Sequence, residues 1–103
     1  MQEKCNILVR DRIPELIERS GRTPKAKMLE DNEFLKATIA KLKEEVAQYE
    51  KNKTMEELVD IVEIVYSILK VKTVGLDEFE RLRIIKNVEK GSYDLKIFLE
   101  KII

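Results

Sequence analysis

The sequence contains no histidine and only one cysteine, Cys5, among its 103 residues. The lack of histidine excludes Ser-His and Cys-His catalysis and most transition-metal sites. One cysteine excludes an internal disulfide and a cysteine-based zinc site within one chain. We therefore expect any metal site in this protein to be built from oxygen ligands.

Glycine and proline are also scarce, with three and two residues respectively. Long loops and a β-sandwich are therefore not expected, and the abundance of Lys, Glu, Leu, Ile and Val favours helices. A chain of this length corresponds to one domain, residues 1–103, and its 44% apolar residues can fill a modest core. The composition thus predicts a single all-α domain.

The chain also lacks a net charge and a long apolar run. Its 20 basic and 20 acidic residues cancel, and the basic residues are spread along the sequence, which argues against a nucleic-acid polymer as partner. No apolar stretch is long enough for a signal peptide or a membrane span. We therefore predict no membrane partner and a cytoplasmic location.

Helix caps and apolar periodicity predict four helices. The first starts near Pro14 and ends at residues 20–21. The second is capped by Asp31 or Asn32 and is interrupted at residues 51–53. Its apolar stripe consists of Leu35, Ile39, Leu42, Val46 and Tyr49.

The third helix, at residues 55–72, follows a capping box formed by Thr54 and Glu57. It is apolar around most of its circumference, so we expect it to pack both within its own chain and against a second subunit. A fourth helix follows Gly75 and ends at Gly91. The predicted architecture is a set of antiparallel helical hairpins that form a four-helix-type bundle, completed by oligomerisation.

The segment at residues 95–99 is typical of either a short strand or a final helical turn. As a strand, it would pair with residues 25–29 in a minor two-stranded patch. The expected fold is therefore an all-α bundle with at most this small β element added.

The most informative stretch is residues 43–63, which carry two acidic doublets at helical spacing. On a helical wheel, Glu45 and Gln48 lie beside the apolar stripe of the second helix, and Glu57 and Asp60 share one side of the third. An antiparallel hairpin would bring these four residues together across a groove. Carboxylate and amide oxygens suit Mg²⁺, with Mn²⁺ as a substitute, and this chemistry favours phosphate-ester or phosphoanhydride substrates.

Simpler interpretations exist for the same residues. Glutamates on helices rich in lysine and glutamate usually face solvent and pair with residues such as Lys41 and Lys43. Glu57 is also explained by the capping box with Thr54, without any metal. On this view the protein is a structural helical assembly whose acidic face is solvated.

Three motif-bearing parts of the chain match a known family over nearly the full length. They are LVRDRIPE at residues 8–15, KEEVAQ and EELVDIVE at residues 43–48 and 56–63, and KGSY with IFLE at residues 90–93 and 97–100. They are similar to an LVRDKIPE opening, to the EExxE and ExxD motifs, and to a Gly-Gly-Phe tail. In this respect the chain resembles the all-α nucleoside triphosphate pyrophosphohydrolases of the MazG type, most closely the small phosphoribosyl-ATP pyrophosphohydrolase-like members.

The resemblance implies a Mg²⁺-dependent hydrolysis of a nucleoside triphosphate to a monophosphate and pyrophosphate, in a house-cleaning role. It also implies a homodimer or a dimer of dimers. The metal ligands that it implies are Glu45, Gln48, Glu57 and Asp60. The acidic residues that it assigns to catalysis are Glu44, Glu45, Glu57 and Asp60.

Cationic side chains would hold the phosphates of such a substrate. The candidates in or near the matching segments are Arg10, Arg12, Lys25 and Lys86. The two arginines have an alternative role, because each could pair with a neighbouring carboxylate near a helix start. The two lysines are alternatively plain surface residues.

Gln48 departs from the family pattern, which has a glutamate at this position. An amide oxygen can ligate Mg²⁺, but it brings no charge and cannot act as a base. The resemblance therefore leaves a second interpretation open: a nucleotide- or metal-binding regulatory module of the same fold with impaired catalysis.

Overall fold

The computed structural model describes residues 5–103. Four helices provide the regular structure: α1 (Ile13–Arg19), α2 (Asp31–Asn52), α3 (Met55–Val71) and α4 (Leu76–Lys90). No strand occurs within this range, so the described part of the chain is all-α, as the composition predicted.

The two-stranded patch predicted for residues 25–29 and 95–99 is wrong, because both segments are irregular in the structure. Most of their side chains are exposed, so neither segment gains a packed face. Two short strands without such a face are only marginally stable in water.

The link between α2 and α3 is only two residues long, which folds these helices back on one another as an antiparallel hairpin. Lys53 ends α2 in the left-handed conformation (φ 55°), and its N–H donates to the Tyr49 carbonyl at 2.7 Å. Thr54 then starts α3 with the predicted capping box. The chain reversal is therefore encoded by local backbone and cap geometry.

The hairpin contains nearly all of the buried residues, and α2 with α3 is the only pair of helices in the described chain that packs extensively. Ile64 and Leu69 are its buried apolar side chains. Thr38 is fully buried, and its hydroxyl donates to the Leu35 carbonyl at 2.6 Å. This is a small core for a chain of 103 residues.

The rest of the apolar surface stays open. The radius of gyration is 17.9 Å, against about 13 Å for a compact domain of this size. Residues such as Val59, Val62 and Leu82 are about half exposed. A single chain therefore leaves much apolar surface in contact with water.

The short helix α1 precedes the hairpin, with Pro14 in its first turn, where the backbone N–H has no helical partner to lose. The long helix α4 follows it and ends at Gly91, whose φ of 84° favours glycine. None of the helices in residues 5–103 combines the length and apolarity that crossing a membrane requires.

Candidate functional site

Arg10 connects the segment before α1 to the middle of the hairpin. Its Nε and Nη2 both donate to Oδ1 of Asp60, at 3.1 and 2.5 Å. This contact joins the LVRDRIPE segment to the second acidic motif, so it places a predicted phosphate-binding residue against a predicted metal ligand. Arg12 instead takes the alternative local role, because its Nε donates to Glu15 at 2.7 Å.

Glu45 reaches Asp60 from the facing helix α2 and is only 7% exposed. Its pKa is raised above the ordinary value, first by burial and then by the negative charge of Asp60. Lys41 opposes this shift, with its Nζ 3.5 Å from Oε1 of Glu45. The carboxylates of Glu45 and Asp60 thus face each other where solvent is partly excluded, and a positive charge between them would be favourable.

Glu57 is equally buried, at 7% exposure, but its carboxylate is turned to the start of its own helix. One oxygen accepts from the Thr54 N–H at 3.1 Å, and the other accepts from the Thr54 hydroxyl at 2.5 Å. The capping box therefore explains this buried carboxylate, and a cation would compete with Thr54 for the same oxygens.

Glu44 and Gln48 lie at the edges of the site. Lys41 lies between the two glutamates of the first doublet, since its Nζ is also 3.5 Å from Glu44. Gln48 is exposed, and its amide oxygen accepts from Asn52 at 3.3 Å. Glu44 is thus engaged by Lys41, and the single amide oxygen of Gln48 is engaged by Asn52.

Lys25 and Lys86 are both exposed. Lys25 belongs to the irregular segment before α2, and Lys86 lies on α4, which does not pack extensively on the hairpin. Of the four candidate cations, Arg10 is therefore the one that contacts a predicted metal ligand, Asp60.

A groove of about 340 Å³ lies beside Asp60 and is lined by Met55, Glu56 and Val59 in addition. The lining combines two exposed apolar side chains with two carboxylates. Such a groove offers an apolar surface next to the charged side chains.

The oxygen donors near Glu45 and Asp60 determine which metal this site suits. Among residues 5–103, no three His, Cys, Asp or Glu side chains are arranged around one point as a metal site. The oxygens that converge belong to Glu45 and Asp60, and Arg10 and Lys41 supply positive charge to them. These carboxylate oxygens are hard donors that suit a divalent cation, which would take the place of Arg10 at Oδ1 of Asp60.

The contact between Arg10 and Asp60 was not predicted from the sequence. Both residues were selected separately, one for phosphates and one for metal, but 50 residues separate them. The only available signal was that both belong to motifs of the same resemblance.

Comparison with known proteins adds little to these observations. The chain matches no family model, and it matches no solved structure. An uncharacterized protein of Mycolicibacterium smegmatis (strain ATCC 700084 / mc(2)155) is 63% identical to it over 41 residues. The alignment covers 40% of this chain and 42% of the relative, so the similarity spans less than half of either protein.

Proposed function

We propose that this protein is a Mg²⁺-dependent nucleoside triphosphate pyrophosphohydrolase that converts an NTP to a monophosphate and pyrophosphate. The observation that carries the proposal is the junction of Arg10, Asp60 and Glu45. It combines facing carboxylates that suit a divalent cation with a guanidinium that suits a phosphate. The resemblance to the MazG type supplies the reaction and the house-cleaning role in the cytoplasm.

Each residue of the junction has a task in this reaction. When bound, Mg²⁺ supplies charge neutralisation and orientation to the substrate phosphates. Glu45 and Asp60 would hold the ion. Glu57 and Gln48 lie one turn away on their helices and would add oxygens once they release Thr54 and Asn52. These side chains position the α-phosphorus for in-line attack by water, with Glu44 as the further carboxylate of the set.

Arg10 has two states in this scheme. Without substrate it neutralises Asp60, since its Nε and Nη2 are both bound to that carboxylate. With substrate, its planar guanidinium is free to form paired hydrogen bonds to phosphate oxygens. Lys41 stays beside Glu44 and Glu45, where it limits their mutual repulsion.

The site is proposed to work within a homodimer or a dimer of dimers. The exposed apolar side chains of α3 include Met55 and Val59, at 72% and 56% exposure. Burying them against a second hairpin would complete a four-helix-type bundle and remove apolar surface from water. Light scattering at micromolar concentration tests this, and a strictly monomeric species would contradict it.

Product analysis tests the reaction itself. A panel of NTPs and dNTPs should yield pyrophosphate and a monophosphate with Mg²⁺ or Mn²⁺, and neither product with a chelator. Asp60→Asn should abolish turnover and leave the helical circular dichroism intact. Glu63→Gln is the matched control, because Glu63 is an exposed carboxylate on the same helix. The absence of turnover for every nucleotide with metal-loaded protein would refute the proposal.

The alternative function is a nucleotide- or metal-binding regulatory module. It is favoured by Gln48, which is exposed and bonded to Asn52, and by Glu57, whose oxygens are both engaged by Thr54. Calorimetry separates the candidates, because the module should bind Mg²⁺ and nucleotide with measurable heat and release no pyrophosphate. A purely structural assembly should give no heat of binding at all.

A further inference from the structure

An apolar groove lies between α3 and the first half of α4, away from the acidic residues. It has a volume of about 480 Å³, within the range of about 300–1,000 Å³ that is usual for binding sites. Its apolar walls are formed by Val62, Val65, Tyr66, Leu76 and Phe79. Val62 and Leu76 remain 48% and 53% exposed, so the groove is open to solvent.

The rim of this groove carries acidic side chains. Glu80 is paired with Arg83 one turn later on α4, so its charge is compensated. Asp77 forms no ion pair within residues 5–103. The groove is therefore an apolar surface with one uncompensated negative charge at its edge.

The tail, defined as residues 91–103, is an irregular and exposed segment. Leu95, Ile97, Phe98 and Leu99 are 82%, 80%, 87% and 71% exposed. Lys96 lies between the first two of these residues. An exposed apolar cluster of this kind is typical of a surface that another element covers.

We propose that the tail of one copy docks into the α3–α4 groove of a second copy, and that the tail of the second copy docks into the groove of the first. The apolar side chains of the tail match the apolar walls in character, and Lys96, the one charged residue within 95–99, has the charge that complements Asp77 at the rim. Two tails and two grooves related by a two-fold axis form a closed, self-complementary interface. The inference requires no nucleotide chemistry, so it stands or falls independently of the proposed function.

The arrangement within one chain favours a second copy over the same copy. The groove lies at the N-terminal half of α4, and the tail leaves from the other end of this 15-residue helix. The helix is about 22 Å long at 1.5 Å per residue, a distance that the extended tail can span at about 3.3 Å per residue, so the choice between the two copies depends on where the tail lies. The tail leaves its own groove open.

Site-directed cross-linking tests the exchange, and the chain offers a simple background because Cys5 is its only cysteine. In a Cys5→Ser protein, we would prepare Val62→Cys and Ile97→Cys as separate variants, mix them and oxidise mildly. We expect the yield of disulfide-linked heterodimer to exceed clearly the statistical excess over either homodimer that random pairing of the two thiols gives. A mixture with Val88→Cys instead of Val62→Cys is the control, since Val88 is exposed on α4 outside the groove.

Two outcomes of the cross-linking would overturn the proposal. One is an equal yield of heterodimer with Val88→Cys. The other is an intramolecular disulfide in monomers that carry both Val62→Cys and Ile97→Cys, which would place the tail in its own groove.

A second variant keeps the test independent of disulfide chemistry. Phe98→Asp should raise the dimer dissociation constant in sedimentation equilibrium by about tenfold or more, because it puts a charge into an apolar contact. Val88→Asp is nearly matched in exposure, at 82% against 87%, and should leave the dissociation constant unchanged. Unchanged association of Phe98→Asp, with its helical circular dichroism intact, would refute the docking.

Discussion

Arg10 donates two hydrogen bonds to a single carboxylate oxygen of Asp60, which lies 50 residues further along the chain. The contact ties the segment before α1 to the middle of α3. The two side chains are 54% and 36% exposed, so solvent weakens the ion pair. The main effect of the ion pair is therefore to fix the position of the Arg10 guanidinium relative to Asp60 and Glu45.

Replacement of Arg10 by alanine should release the N-terminal segment from the hairpin. We expect faster amide hydrogen exchange at residues 13–19, with α2 and α3 unchanged, and a loss of about 0.2–1 kcal/mol in the free energy of unfolding. Arg12→Ala is the control, since Arg12 pairs locally with Glu15. Equal exchange in the Arg10→Ala variant and the wild type would show that the contact does not hold the segment.

The capping box at the start of α3 should contribute measurably to stability. Thr54→Ala removes the hydroxyl bonded to Glu57 and should lower the free energy of unfolding by about 0.5–2 kcal/mol in urea denaturation. Because the substitution frees an oxygen of Glu57, Mg²⁺ binding should be strengthened. Glu56→Ala changes an exposed neighbour and should cost less stability. An unchanged Mg²⁺ affinity in Thr54→Ala would argue against Glu57 as a ligand.

The raised pKa of Glu45 predicts how stability depends on pH. A raised pKa means that the native state binds this proton more tightly than the unfolded state does. Protonated Glu45 therefore stabilises the native state at pH values below its ordinary pKa of 4.5. This stabilisation is lost as the pH rises through the raised pKa of the native state. At neutral pH the ionised side chain opposes folding.

Glu45→Gln should accordingly raise the Tm at pH 7, and the gain should shrink as the pH falls towards 4. Thermal unfolding followed by circular dichroism across this range measures the effect, with Glu44→Gln as the neighbouring control. A variant that is less stable than the wild type by the same amount at every pH would contradict the assignment.

Restoring a carboxylate at position 48 tests the weakest part of the proposed site. Without metal, Gln48→Glu should lower the Tm slightly, because it adds a negative charge one turn from Glu45. With Mg²⁺ it should gain more thermal stabilisation than the wild type, since metal binding to the native state raises the Tm. An increase in turnover would identify Gln48 as the cause of impaired catalysis. No change in either measurement would remove position 48 from the site.

The helices illustrate what local sequence patterns can predict. The capping box of Thr54 and Glu57 and the end of α4 at Gly91 were expected from a few neighbouring residues, and the structure has both. The break was expected at residues 51–53, but α2 continues through Asn52 and only Lys53 leaves the helical conformation. Helix caps and left-handed residues interact with groups within one helical turn. The local sequence therefore contains all the residues that determine their stability. The predicted cap at Asp31 or Asn32 was displaced, because α2 starts at Asp31 and Glu30 is its cap.

The errors and omissions concern contacts that a local pattern does not contain. The apolar segment 95–99 suggested a strand, but strand formation depends on a partner and a covered face, and the structure gives it neither. The helical wheel grouped four side chains at the site, whereas the described structure turns Glu57 to Thr54 and Gln48 to Asn52.

The sequence by itself determined the all-α class, the hairpin of α2 and α3, and the two acidic motifs that face each other across it. Periodicity and short links specify these features because helix formation and chain reversal are local events. Only the tertiary structure decided that Arg10 binds Asp60, that Glu45 is buried beside it, and that most of the apolar surface stays open. Those features depend on how segments far apart in the sequence pack, and packing is a property of the whole fold.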